Sequence, residues 1–99
     1  MNMAKPPHPG RILKSYYIEP LKMTISDAAG YLDLARSRLS QLVNAKMSVS
    51  PTMALRLAKG FDTSPQYWMN MQTQYDLAQA GKNAKLGNVK CLVTKGSVR

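Results

Sequence analysis

The chain has 99 residues, 44% of them hydrophobic and 19% charged, which is room for one compact domain and too apolar a composition for a disordered segment. A two-domain enzyme and a membrane protein are both excluded on those figures. Fourteen Lys and Arg against five Asp and Glu give a net charge of +9, so the chain is expected to seek phosphate backbones, anionic membranes or acidic proteins.

Cys91 is the single cysteine and His8 the single histidine, which supplies neither an intramolecular disulfide nor a closed zinc site of the usual kind. No run of 18 apolar residues occurs, and the first ten residues carry Lys5, His8 and three prolines where a signal peptide would carry an apolar core. A reducing cytoplasm is the expected location, and no membrane partner is expected.

Helix punctuation runs along the chain and predicts an all-α fold. Helix 1 is expected to start at Pro9, since proline suits the first helical position, with Ile12, Leu13, Tyr16 and Tyr17 on one face and Pro20 as its end. Helix 2 opens with Thr24 as N-cap and Asp27 three residues on, an imperfect capping box. Its stripe is Ile25, Ala28, Ala29 and Leu32 at i, i+3, i+4 and i+7. Gly30 inside that helix costs roughly 1 kcal/mol relative to alanine, so packing has to hold it.

After a turn at Asp33 and Leu34, helix 3 is expected over residues 35–44. A step of about 100° per residue puts Leu39, Leu42 and Val43 on one side. Ser37, Ser40, Gln41 and Asn44 fall on the other, with Arg36 and Arg38 at its flanks. Helix 4 begins at Ser50 and Pro51, with Ala54, Leu57, Ala58 and Phe61 inward and Gly60 and Asp62 closing it. The same device at Ser64 and Pro65 opens helix 5, where Trp68, Met71, Tyr75 and Ala78 lie three or four apart; its end is placed near Gly81. The expected division is a helical domain over residues 1–80 and a short basic tail over 81–99. Residues 89–94 read as part of a flexible arm or as a brief strand that pairs with a partner.

Helices 2 and 3 meet the geometric needs of a helix-turn-helix reader, in which one helix braces across the backbone and the next enters the major groove. Residues 34–61 hold Arg36, Arg38, Lys46, Arg56 and Lys59 and no acid, and these five cations are assigned to DNA. Gln41 and Asn44 carry amides able to contact adenine edges, and Arg36 or Arg38 can reach guanine or a phosphate. Thr24 and Ser26 are expected at phosphates, because free N–H groups and the helix dipole favour an anion there. The plainer reading is a solvated amphipathic helix. An idle face usually mixes Glu with Lys, whereas this one carries short hydroxyl and amide groups and positive charge alone.

His8, Pro9, Gly10, Arg11, Ile12 and Leu13 at the start carry a resemblance, together with the pattern from Thr24 to Asn44 and the segments Ser50, Pro51, Thr52 and Thr63, Ser64, Pro65, Gln66, Tyr67, Trp68. With Tyr75, Asp76, Leu77 and Ala78, they resemble the HigA antitoxin family, also called VapI-like, of the Xre/Cro helix-turn-helix group, over roughly residues 8–80.

The resemblance implies a five-helix, lambda-repressor-like DNA-binding fold and a homodimer on an inverted-repeat operator. It also implies a HigB-type messenger-RNA endonuclease toxin as protein partner. Carried over by residue, the reading face is Arg36, Ser37, Arg38, Ser40, Gln41 and Asn44, with Thr24 and Lys46 near the backbone. The chain departs from the family at Asp33 and Ala35, where glycine and a capping serine are usual, and at Ala45, where glycine is usual. Helix 3 should therefore be weakly capped. Asp33 and Asn44 are expected to take the left-handed turns, since both tolerate that conformation better than alanine.

His8 is expected to cap or pack. Trp68, Met71 and Tyr75 fit core packing or a dimer or toxin interface, and Cys91 reads as incidental. No nucleophile, base and orienting group are brought together, and no phosphate-binding glycine fingerprint occurs, so neither catalysis nor a cofactor is expected. A small basic ribonuclease is the enzymatic rival. Two non-enzymatic readings also compete with the antitoxin: a toxin-binding module with vestigial DNA binding, and a solitary Xre-type repressor.

Overall fold

The computed structural model describes residues 5–93. Five α-helices follow one another, with no strand among the described residues: α1 (Pro9–Leu13), α2 (Ile25–Leu32), α3 (Arg36–Val43), α4 (Pro51–Phe61) and α5 (Pro65–Asn83). Four of the five starts are local devices. His8 Nδ1 accepts from the Gly10 N–H at 2.9 Å, Ser50 Oγ from Met53 N–H at 3.2 Å, and Ser64 Oγ from Tyr67 N–H at 3.1 Å. At α2 the full capping box forms: Thr24 Oγ1 accepts from Asp27 N–H, and the Asp27 carboxylate from Thr24 N–H.

Helix 1 differs from the expected single helix reaching Pro20. Only Pro9–Leu13 is α-helical; a π turn over Lys14–Ile18 and a 3-10 turn over Glu19–Leu21 complete it. The wider turn precedes Pro20, whose ring would strike the carbonyl four residues back in an α-helix and whose missing N–H would leave that carbonyl alone. Tyr17, on the π turn, is tied by its hydroxyl to that of Tyr67 on α5 at 3.2 Å; this bond first, then burial and the neighbouring Tyr17 phenol, push the Tyr67 phenol up to about 12.

The core gathers Leu13, Ile18, Leu32, Leu39, Leu42, Val49, Met53, Leu57 and Trp68 from all five helices and the connection after α3. On α3, Leu39, Leu42 and Val43 are buried, and together they contribute roughly 5–9 kcal/mol of apolar burial. That outweighs the missing cap at Ala35, whose side chain makes no capping bond and whose deficit is about 1 kcal/mol. α1 packs on α3 and α5, α2 on α3 and α4, and α4 on α5. Gly10 permits the first of these contacts: a Cβ there would collide with the Leu42 carbonyl.

α5 runs two residues past Gly81, across the expected boundary at residue 80. Beyond it, residues 84–93 are exposed. The radius of gyration is 17.1 Å, against about 13 Å for a compact chain of 100 residues. Residues 89–93 form no strand, and the remaining residue of the expected strand, Thr94, lies outside the described residues. No helix among the described residues is long and apolar enough to cross a membrane.

Candidate nucleic-acid interface

The outward side of α3 brings Arg36, Ser37, Gln41 and Asn44 together as exposed residues, with Ser40 half-buried between them. Arg38, also exposed, stands at the far edge of this stripe. It lines a cleft of about 320 Å³ between the starts of α3 and α4, together with Ala35, Ser50, Thr52 and Arg56. Lys46 is exposed just past the helix. The single ion pair among the described residues joins Arg56 to Asp33. The α3 cations therefore keep their charge for the surroundings.

Asn44 donates from Nδ2 to the Ser40 carbonyl at 2.8 Å, so part of its amide closes its own helix while Oδ1 stays open. It does not take the left-handed conformation expected of it. Asn44 has φ −95° and the positive φ, 59°, falls on Ala45. The cause is positional: Lys46 N–H bonds the Gln41 carbonyl and Ala45 N–H that of Leu42, and this closing pattern demands a left-handed residue one place after the cap, whatever its type. At the other turn the expectation holds, with Asp33 at φ 55°.

Thr24 and Ser26 are exposed at the start of α2, but the anion site expected there is partly filled from within. The Asp27 carboxylate already sits on Thr24 N–H and the Thr24 hydroxyl oxygen accepts from Asp27 N–H, leaving the Ile25 and Ser26 N–H groups and the Ser26 hydroxyl for an anion. Arg56, counted among the cations for DNA, instead turns to the protein. Its Nη1 donates to the carbonyls of Leu32 at 3.2 Å and Asp33 at 2.8 Å, and lies 3.4 Å from Asp33 Oδ2.

The three residues suggested for a partner surface separate. Trp68 is fully buried, its Nε1 donating to Thr63 Oγ1 at 2.7 Å, so its ring serves the core and offers no contact surface. Met71 is half-buried against the core. Tyr75 meets the His8 ring edge-on at 4.9 Å. His8, buried, is held below its ordinary pKa chiefly by that burial, with Arg11 adding to the effect and the Met47 backbone and Asp76 opposing it.

Gln72 was not anticipated. Buried on α5, it accepts from Val49 N–H at 2.8 Å and donates to Asp76 Oδ1 at 2.9 Å, clamping the connection that leaves α3. Its signal was available: it stands four residues after Trp68 on the apolar stripe, where an amide needs a buried partner. Among the described residues no group of three His, Cys, Asp or Glu is placed to hold a metal.

This geometry has close counterparts. A helix-turn-helix family profile matches residues 13–68. The chain is 42% identical over 94 residues to an uncharacterized HTH-type transcriptional regulator of Haemophilus influenzae, covering 91% of this chain and 88% of that one. Among solved structures it is similar to antitoxin GraA in complex with its operator, with TM-score 0.85 and 32% identity over 95% of this chain and 97% of that one. It is likewise similar to Pseudomonas aeruginosa antitoxin HigA with the higBA promoter, with TM-score 0.81 and 31% identity over 90% and 100%.

Proposed function

The chain belongs to the helix-turn-helix family and is a DNA-binding, antitoxin-like transcriptional regulator, and from that premise we propose that it is the antitoxin of a type II toxin-antitoxin module. In this reading it represses its own operon and neutralises a HigB-type messenger-RNA endonuclease. α3 enters the major groove. Gln41 and Asn44 read base edges, Arg36 and Arg38 reach guanine or phosphate, and Ser37 and Ser40 add hydroxyl contacts. Thr24, Ser26 and Lys46 hold the phosphate backbone.

One observation carries the proposal: the outward face of α3 holds only hydroxyl, amide and positively charged groups, and none of its cations is paired among the described residues. No catalytic role is assigned, since this class acts by binding. An inverted repeat calls for a two-fold dimer, and we place its contact at the end of α5 and the residues that follow it, 84–93. The exposure of Leu77, Leu86, Val89 and Leu92 supports that placement over Trp68.

The test is binding to the DNA upstream of its own gene across a salt series. If Arg36, Arg38 and Lys46 meet phosphates in both protomers, roughly six in all, log K falls with log salt at a slope of about −5. Co-expression with the neighbouring reading frame should give a stable complex and relieve growth arrest. Operator binding with no such partner beside the gene would leave a solitary repressor. Partner binding without any DNA preference would leave an interaction module.

A further inference from the structure

We propose that Arg56 is a positioning residue for DNA reading: from α4 it holds the turn between α2 and α3 and so sets the angle at which α3 is presented. The inference rests on the DNA-reading role given to α3 above. The turn is short, and three features leave it in need of an outside hold. Asp33 occupies a left-handed position at φ 55° that only glycine adopts without strain. Ala35 gives α3 no side-chain cap. The closing bonds of α2, Leu34 N–H to the Ala29 carbonyl and Asp33 N–H to that of Gly30, leave the Leu32 and Asp33 carbonyls pointing past the helix end.

Both carbonyls are taken by Arg56 Nη1. A cation at a helix C-terminus is favoured by the dipole, and a charged donor makes the stronger hydrogen bond. The accompanying ion pair matters little, because the Arg56 and Asp33 side chains are 38% and 96% exposed and solvent screens it. What Arg56 supplies is therefore geometric: one guanidinium nitrogen, Nη1, from an element 23 residues away that ties together the two carbonyls immediately before the reading helix. Lysine carries its ammonium one bond nearer the backbone than Nη1, so it does not reach both carbonyls from the same place on α4.

The experiment measures binding of the full chain to its own upstream DNA and to a shuffled duplex, at several salt concentrations, with thermal unfolding in parallel. Arg56→Met is expected to weaken binding to the upstream duplex about tenfold. Affinity for the shuffled duplex and the salt slope should match the parent. Arg56→Lys, which keeps the charge, should lose as much, and it carries the test should Arg56→Met fail to fold. Asp33→Gly placed in either variant should recover most of the loss, because glycine holds the turn unaided.

Two results overturn the proposal. One is parental discrimination in Arg56→Lys and Arg56→Met. The other is a salt slope shallower by about one per protomer in Arg56→Met, which would make Arg56 a phosphate contact. A parent protein that does not prefer its upstream duplex would instead remove the DNA-reading role of α3, and this inference with it.

Discussion

Replacing Gly10 with alanine and Gly30 with alanine should change stability in opposite directions, although both glycines lie in helices. At residue 10 the added Cβ would overlap the Leu42 carbonyl oxygen and stand 2.7 Å from its carbon and 3.1 Å from His8 Nδ1. Carbon and oxygen ordinarily keep about 3.3 Å apart, and here the obstacle is the backbone of α3, which cannot rotate out of the way.

Overpacking of this kind costs about 3 kcal/mol at the upper end of its usual range, and alanine's helix preference returns at most about 1 kcal/mol. The net loss is about 2 kcal/mol, or a melting temperature lower by about 8–16 °C for a domain of this size. At residue 30 nothing lies within 4 Å of the added atom, so alanine should stabilise by about 0.5–1 kcal/mol. Thermal and urea unfolding followed by far-ultraviolet circular dichroism reads both. A Gly10→Ala protein as stable as the parent would refute the packing of α1 on α3 described above, and a Gly30→Ala protein less stable than the parent would refute the open surroundings of residue 30.

Gln72→Leu keeps the volume but strips the buried Val49 N–H of its acceptor, and should cost about 1–3 kcal/mol in a urea titration. Ala45→Gly relieves the left-handed strain after α3 and should raise stability by about 1 kcal/mol; a decrease would place the strain elsewhere. The His8 cap requires an unprotonated Nδ1, and burial lowers the folded pKa below the ordinary 6.5. The unfolded chain thus binds the proton more readily. Stability from this group is complete above pH 6.5 and is lost as pH falls through the lower folded value. The urea midpoint should decline on acidification below 6.5, and His8→Asn, a cap that does not titrate, should flatten that decline.

The starts of four helices were legible because the caps His8, Thr24, Ser50 and Ser64 accept from N–H groups within three residues, and Pro9, Pro51 and Pro65 stand beside three of them. The buried and outward sides of α3 were legible from spacing alone. What escaped the reading depends on groups far apart in the chain. Arg56 reads as one more cation until the turn 23 residues earlier is folded beside it, and Gln72, although on the apolar stripe of α5, has no identifiable partner until Val49 arrives. The π turn before Pro20 trades one hydrogen-bond register for another, which no periodicity marks. Ala45 was missed for a local reason: the closing pattern of α3 dictates which position turns left-handed, and residue preference yields to it.

The most direct test of α3 as a DNA reader is the affinity of Gln41→Ala for a set of single-base variants of its own operator. Gln41 is exposed at the middle of the outward stripe, and its amide can pair with one adenine edge. The account predicts that Gln41→Ala loses discrimination at one base position in each half-site, by about 1–3 kcal/mol, while preferences at the remaining positions and the salt slope stay as in the parent. Equal binding of parent and variant to every duplex would contradict it.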